Sequence, residues 1–191
     1  DTTTVLNRGA LIVMEGCDRT GKTTQAKMLV KSLNKLGKPT IFMHFPGDLV
    51  SLKILEINII DSYRWESLSQ ITSTIEEGIN IIIDRYSFSG VAYSAAKEGM
   101  ALDWCRKSDV GLPKPDLVLF FNLTPEVART RGHWGEERYE KEGIQKVVRE
   151  NYNKLMDSSW KVYKSCVVTA AVSLYSYSAL SFTLTSLVLV L

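Results

Sequence analysis

The chain has 191 residues, about a third more than a rough 150-residue single-domain prior, which predicts one compact domain with a short appendage. Lys plus Arg number 23 against 21 Asp plus Glu, so the net charge is +2 and the basic excess of a protein built to neutralise nucleic-acid phosphates is missing. With 45% apolar and 23% charged residues the composition is globular, neither disordered nor fibrous.

Residues 10–15 form a short apolar run ending in glycine, which predicts a buried strand of a parallel sheet. From Lys22 the period changes: Ala26, Leu29, Val30, Leu33 and Leu36 share one helical face, with Gly37 as the stop. Residues 40–45 read as a second strand, closed by Pro46 and Gly47, and helices are expected over 51–62 and 64–77. Residues 79–83 are almost wholly apolar and β-branched, a central strand that ends in Asp84-Arg85-Tyr86.

A helix is expected over 89–97, a rigid proline-containing connector over 111–115 and a third strongly apolar strand over 117–121. Pro125 opens a further helix at a position where proline is tolerated. Residues 131–143 carry three glycines and many charges, too polar and broken for a core, and read as a surface flap before an amphipathic helix over 144–156. Strands alternating with helices predict a three-layer α/β fold, its parallel sheet covered by helices on both faces.

The three cysteines, Cys17, Cys105 and Cys166, have neither disulfide-framework nor zinc-ligand spacing, which fits a reducing compartment. The first residues lack the basic and apolar regions of a secretory signal, so a cytoplasmic location is expected. No charge occurs after Lys164. An uncharged segment of that length could span a bilayer, but nine of its 27 residues are Ser or Thr and no basic cluster flanks its end, so membrane contact is not favoured. The expected division is a domain over 1–164 and a tail over 165–191.

Gly16-Cys17-Asp18-Arg19-Thr20-Gly21-Lys22-Thr23 fits G-x-x-x-x-G-K-[ST] and lies between a predicted strand and a predicted helix. In such a loop backbone N–H groups turn inward around phosphate oxygens, the following helix adds its positive end, Lys22 reaches the terminal phosphates and Thr23 holds magnesium. Asp84 and Arg85 emerge at the carboxyl edge of a buried strand, where open α/β sheets bind ligands. An arginine there suits a phosphate, and an aspartate there places magnesium and its waters. Arg131 and Arg138, on the glycine-hinged flap, could close over a transferring group.

The runs RGALIVMEGCDRTGKTTQAKML, IIIDRYSFSGVAYSAAKEG, LDWCRKSDVGLPKPDLVLFF and RGHWGEERYE together resemble thymidylate kinase of the eukaryotic and poxvirus type, over about Arg8 to Val162. The resemblance implies a P-loop fold of nucleoside monophosphate kinase type, and transfer of the γ-phosphoryl of ATP to dTMP with magnesium by a homodimer. It implies that Gly16, Asp18, Arg19, Thr20, Gly21, Lys22, Thr23 and Thr24 make up the ATP-binding loop, that Asp18 also accepts the sugar 3′-hydroxyl, and that Arg19 also stabilises charge on the transferring group. Arg85 clamps phosphate, Tyr93 packs against the deoxyribose, and Arg64 hydrogen-bonds the thymine edge. Phe45 and Gly90 stand on the same acceptor side, and Tyr139 and Gln145 line it from the flap. The catalytic group is Lys22, Arg19, Asp84 and Arg85, with Thr23 and Asp84 on magnesium.

Two departures set this chain apart from the family pattern. Phe45-Pro46 runs into Gly47-Asp48-Leu49 and no arginine follows before Arg64, so an acceptor-phosphate clamp is missing. Tyr63 joins Arg64 directly, where the family has an intervening segment bearing a phenylalanine that stacks on thymine. A lost internal segment and an unrelated tail are the pattern of an alternative transcript or a misjoined gene model. Two other readings stay open: a nucleotide-binding protein that turns over poorly, and a kinase for another nucleotide.

Overall fold

Residues 10–16 are all buried, and side chains leave a strand on alternate faces, so this segment has to be covered from both sides. The structure, a computed structural model, describes residues 8–18, 20–45, 57–123 and 142–164. Five strands form one sheet: β1 (Leu11–Gly16), β2 (Thr40–His44), β3 (Asn80–Asp84), β4 (Leu117–Asn122) and β5 (Trp160–Lys164). Their order is β2-β3-β1-β4-β5 and every neighbouring pair is parallel. Around them lie α1 (Lys22–Lys35), α2 (Ile57–Glu66), α3 (Leu68–Glu76), α4 (Ser87–Ser94), α5 (Leu102–Arg106) and α6 (Glu142–Leu155), with a 3₁₀ turn at Lys107–Asp109.

The alternation of β1 sorts the core into two layers. Ala10, Ile12 and Met14 join Ile82 and Leu119 under Ala26, Leu29 and Leu33 of α1. Leu11 and Val13 face the other way and join Ile83 and Phe120 beneath Ile71 of α3, Ala92 of α4, and Val148 and Tyr152 of α6. Each such aliphatic or aromatic side chain contributes roughly 1.5 to 3 kcal/mol over its exposed state. The three-layer expectation is met.

Beside β1 the strand order reverses: α1 carries the chain to β2 on the β3 side, and the chain after β3 crosses to β4 on the other side. The crevice of such a sheet opens at that reversal, beyond the carboxyl ends of β1 and β3. Gly16 closes β1 there at φ +142°, and a Cβ on it would sit 2.4 Å from the Phe121 carbonyl oxygen, so only glycine lets β4 approach this closely.

Several boundaries differ from the sequence expectation. The helical break falls at Ser67, not at Tyr63, because α2 continues through Tyr63 and Arg64, and the Ser67 hydroxyl donates to the Tyr63 carbonyl (2.9 Å). α4 begins two residues early, at Ser87, and α5 with its 3₁₀ turn occupies a stretch the sequence left unassigned. The last two flap residues, Glu142 and Gly143, already belong to α6. β5 had no strand signature because it is an edge, with Val162 52% exposed and Lys161 outward, so its pattern never becomes apolar. The helix expected from Pro125, most of the flap and the tail lie outside the described residues. Among the described residues no helix is long and apolar enough to cross a membrane.

Candidate active site

Lys22 opens α1 at 5% exposure, and its ammonium is turned into the loop that precedes it. Nζ donates to the carbonyl oxygens of Gly16 (3.0 Å) and Cys17 (2.7 Å) and to Thr20 Oγ1 (3.2 Å). Thr20 Oγ1 in turn donates to the Cys17 carbonyl (3.0 Å), so side chains brace the loop from within. Burial, helped by the nearby Arg85 charge, lowers the Lys22 pKa to about 8. Thr24 lies exposed on the first turn of α1.

Next to Lys22, the Thr23 hydroxyl donates to Asp84 Oδ2 at the end of β3. Asp84 is buried, and its other oxygen, Oδ1, has no hydrogen-bond partner among the described residues. A buried carboxylate oxygen without a partner is costly, so it marks a place where something else belongs. A hydroxyl beside a carboxylate suits a hard divalent cation that keeps most of its waters. Among the described residues no group of three or more His, Cys, Asp or Glu forms a metal cage, and a phosphate-borne magnesium does not need one.

Asp18, inside the loop, gathers the second part of the site. Arg85 forms an ion pair with Asp18 Oδ1, and Tyr93 Oη (2.8 Å) and Gln145 Nε2 (3.1 Å) donate to Oδ2. Burial alone would raise the carboxyl, but Arg85, Lys22 and these two donors outweigh it and keep Asp18 below the ordinary carboxylate range. The Arg85 guanidinium also lies 5.6 Å from the Tyr93 ring centre. Arg85 has φ 64° and is the one non-glycine residue with positive φ among the described residues. That conformation costs on the order of 1 to 3 kcal/mol and is found where surrounding structure enforces it.

Arg64 forms a third part. It is 1% exposed, and its Nε (3.0 Å) and Nη2 (2.6 Å) both donate to Oδ1 of Asp109, whose side chain is 8% exposed. The guanidinium plane lies on Gly90 of α4: a Cβ there would meet Nη2 at 3.1 Å and Nη1 at 3.2 Å. Gly90→Ala is therefore expected to displace Arg64 and to cost about 1 to 3 kcal/mol of stability by overpacking. Thermal unfolding of the variant beside the parent checks this.

The structure thus brings Lys22, Thr23 and Asp84 together, and likewise Asp18, Arg85, Tyr93 and Gln145, and it seats Arg64 on Gly90. Phe45 is packed in the core with its ring 6.1 Å from Tyr86, and its N–H donates to the Asp84 carbonyl (3.0 Å). Arg19, Arg131, Arg138 and Tyr139 lie outside the described residues. Two residues escaped the sequence reading. Glu15, the lone charge within the apolar β1 run, is fully buried and hydrogen-bonded, and burial raises its pKa. Its position in that run was the available signal. Asp109 carried no signal, because its partner is 45 positions away.

Residues 50–172 match a family model described as thymidylate kinase. The chain is 43% identical over 173 residues to thymidylate kinase of Danio rerio and 40% identical over 173 residues to that of Homo sapiens, in each case covering 81% of this chain and 82% of the relative. It is also similar in structure to thymidylate kinase from Candida albicans, with a TM-score of 0.74, 29% identity and 92% of both chains covered.

Proposed function

The chain belongs to the thymidylate kinase family, and from that premise we infer that it carries the γ-phosphoryl group of ATP to dTMP across the Asp18 cluster. The observation that carries the residue assignment is that one carboxylate of the phosphate loop is bonded at once to Arg85, Tyr93 and Gln145, which belong to β3's exit, α4 and α6. The phosphate loop and the elements assigned to the acceptor are therefore joined through one carboxylate.

Transfer joins an oxygen of the dTMP phosphate to the γ-phosphorus of ATP while the bond to the bridging oxygen of ADP breaks. Little covalent chemistry falls to the protein, so positioning and charge stabilisation dominate. Loop N–H groups and Lys22 hold the donor phosphates, and Arg85 holds phosphate between donor and acceptor. Tyr93 and Asp18 line the deoxyribose, and Arg64, a pure donor, faces the carbonyl edge of the base. Thr23 and Asp84 suit magnesium, which when bound neutralises phosphate charge. Arg19 and the flap arginines Arg131 and Arg138 are assigned to charge stabilisation, and Tyr139 to the nucleotide pocket.

The acceptor side is weakened in this reading. The alignment with the Danio rerio relative runs over 173 residues while only 81% of these 191 residues enter it, so within the alignment the relative has positions that this chain lacks. We place the missing positions next to Tyr63, where the family pattern has its intervening segment. A lost aromatic stack is worth roughly 1 to 3 kcal/mol and a lost charge-assisted phosphate contact roughly 1.5 to 3 kcal/mol. Together they lower dTMP affinity by about two to four powers of ten.

The test is dTDP formation from ATP and dTMP, with dCMP, dGMP and thymidine as rival acceptors, beside calorimetric titration of dTMP into this chain and a chimera carrying the relative's segment. dTMP-dependent dTDP formation with much tighter binding by the chimera is expected. ATP binding without any dTDP would favour a nucleotide-binding role, and equal dTMP affinity would show that another part of the chain completes the pocket.

A further inference from the structure

Glu15 ends the apolar part of β1 one residue before the phosphate loop, and its carboxylate is bonded only to groups on the acceptor side among the partners the structure describes. Oε1 accepts the backbone N–H groups of Tyr86 (3.0 Å) and Ser89 (3.1 Å). Oε2 accepts the Ser89 hydroxyl and the Tyr152 hydroxyl (3.0 Å), which are themselves 2.8 Å apart. A fully buried carboxylate thus caps the start of α4 from a different strand and reaches α6 as well.

The φ and ψ of a residue are set by the peptide planes on its two sides. For Arg85 both planes are tied to β1: its own N–H donates to the Met14 carbonyl (3.0 Å), and the next N–H, that of Tyr86, donates to Glu15 Oε1 (3.0 Å). Between these two anchors Arg85 is held at φ 64°, which an L-residue seldom adopts unaided. That conformation turns its guanidinium to Asp18 and the phosphate loop.

We propose that Glu15 is the positioning residue for Arg85: its carboxylate, by fixing the Tyr86 and Ser89 amides, holds the left-handed turn that aims Arg85 at the phosphate. The inference rests on the reading of Arg85 as the phosphate-binding cation. A carboxylate serving only the stability of the core would lower stability on removal without acting through Arg85, and the two cases differ in measurable ways. Glutamine keeps one carbonyl oxygen able to accept both amides, whereas methionine fills the same space and accepts neither.

The experiment compares the full chain with Glu15→Met, Glu15→Gln, Arg85→Ala and Glu15→Met/Arg85→Ala in kcat/KM for dTMP at saturating ATP, with thermal unfolding of each. Glu15→Met is expected to lose about 100-fold, as misplacement of a positioned group does, and Glu15→Gln to regain about tenfold of that. In the Arg85→Ala background Glu15→Met is expected to cost less than about threefold, since the group it positions is gone. An additive loss in the double variant, or no loss in a folded Glu15→Met, overturns the proposal. Tyr152→Phe provides a reading even if Glu15→Met fails to fold: it removes an Oε2 donor and leaves the amide anchors, so it should lower the unfolding temperature with kcat/KM held within about threefold. A loss there as large as that of Arg85→Ala overturns the anchor. An Arg85→Ala variant as active as the parent sinks the phosphate-clamp reading itself and this inference with it.

Discussion

Replacing Lys22 with alanine is expected to lower phosphoryl transfer by about a thousandfold or more, because removing one preorganised neutral donor from a developing charge already costs about 10² to 10³. Lys22 is a charged donor buried inside its loop, bonded at Nζ to Gly16, Cys17 and Thr20, and it is the cation proposed above to hold the donor phosphates. No other lysine lies in the loop. The pH dependence identifies the group. Burial and Arg85 hold its pKa down to about 8 instead of 10.5, so the ammonium that phosphate requires is lost as pH rises through that value. ATP affinity of the parent should fall between about pH 7 and pH 9, and Lys22→Ala should lack that fall. Stability should move the opposite way. The unfolded lysine still binds its proton between about 8 and 10.5, so folding grows more favourable with pH over that window. ATP titration and thermal unfolding of both proteins across the range check both slopes, and parallel slopes in parent and variant would show that another group titrates.

The parts of the site legible in the sequence are those in which local pattern and chemistry coincide. A short apolar run, glycines at both ends of a loop and a lysine at a helix start place Lys22 and Thr23 without any knowledge of contacts, and a β-branched run ending in Asp84-Arg85 places the second strand end. Parallel pairing of β1 with β3 then sets Met14 opposite Asp84, which is why Thr23 and Asp84 meet. What stayed hidden depends on long-range pairing. The start of α4 is determined by Glu15, 71 positions before Tyr86, so helical periodicity alone put it two residues late. The α2–α3 break follows from the Ser67 hydroxyl turned back on Tyr63, not from a glycine or proline. β5 is an edge whose polar face hides its strand character. The family resemblance implies a base-edge role for Arg64, but it does not point to the carboxylate that holds it.

That carboxylate gives the second large expected effect. Arg64→Met or Asp109→Leu alone should lower stability by about 3 to 5 kcal/mol, the cost of leaving one buried charge without its partner. At about 2 to 4 °C per kcal/mol for a chain of this size, the unfolding temperature should drop by roughly 6 to 20 °C. The pair is shielded enough for that magnitude to apply, since the two side chains are 1% and 8% exposed and two guanidinium nitrogens share Asp109 Oδ1. A second tie holds the same turn, because Trp65 Nε1 donates to the Ser108 carbonyl at 2.8 Å, so the 3₁₀ segment should stay docked on α2 in the variants. Arg64→Met combined with Asp109→Leu should recover most of the stability, because two apolar side chains of similar volume replace two desolvated charges. Recovery of stability should not bring recovery of function. With Arg64 in the base-recognition role proposed above, the double variant lacks that donor, so KM for dTMP should stay raised by about tenfold or more, as expected for one lost charge-assisted hydrogen bond, while KM for ATP follows the parent. A double variant that regained both stability and dTMP affinity would reduce Arg64 to a core ion pair and move base recognition elsewhere in the chain.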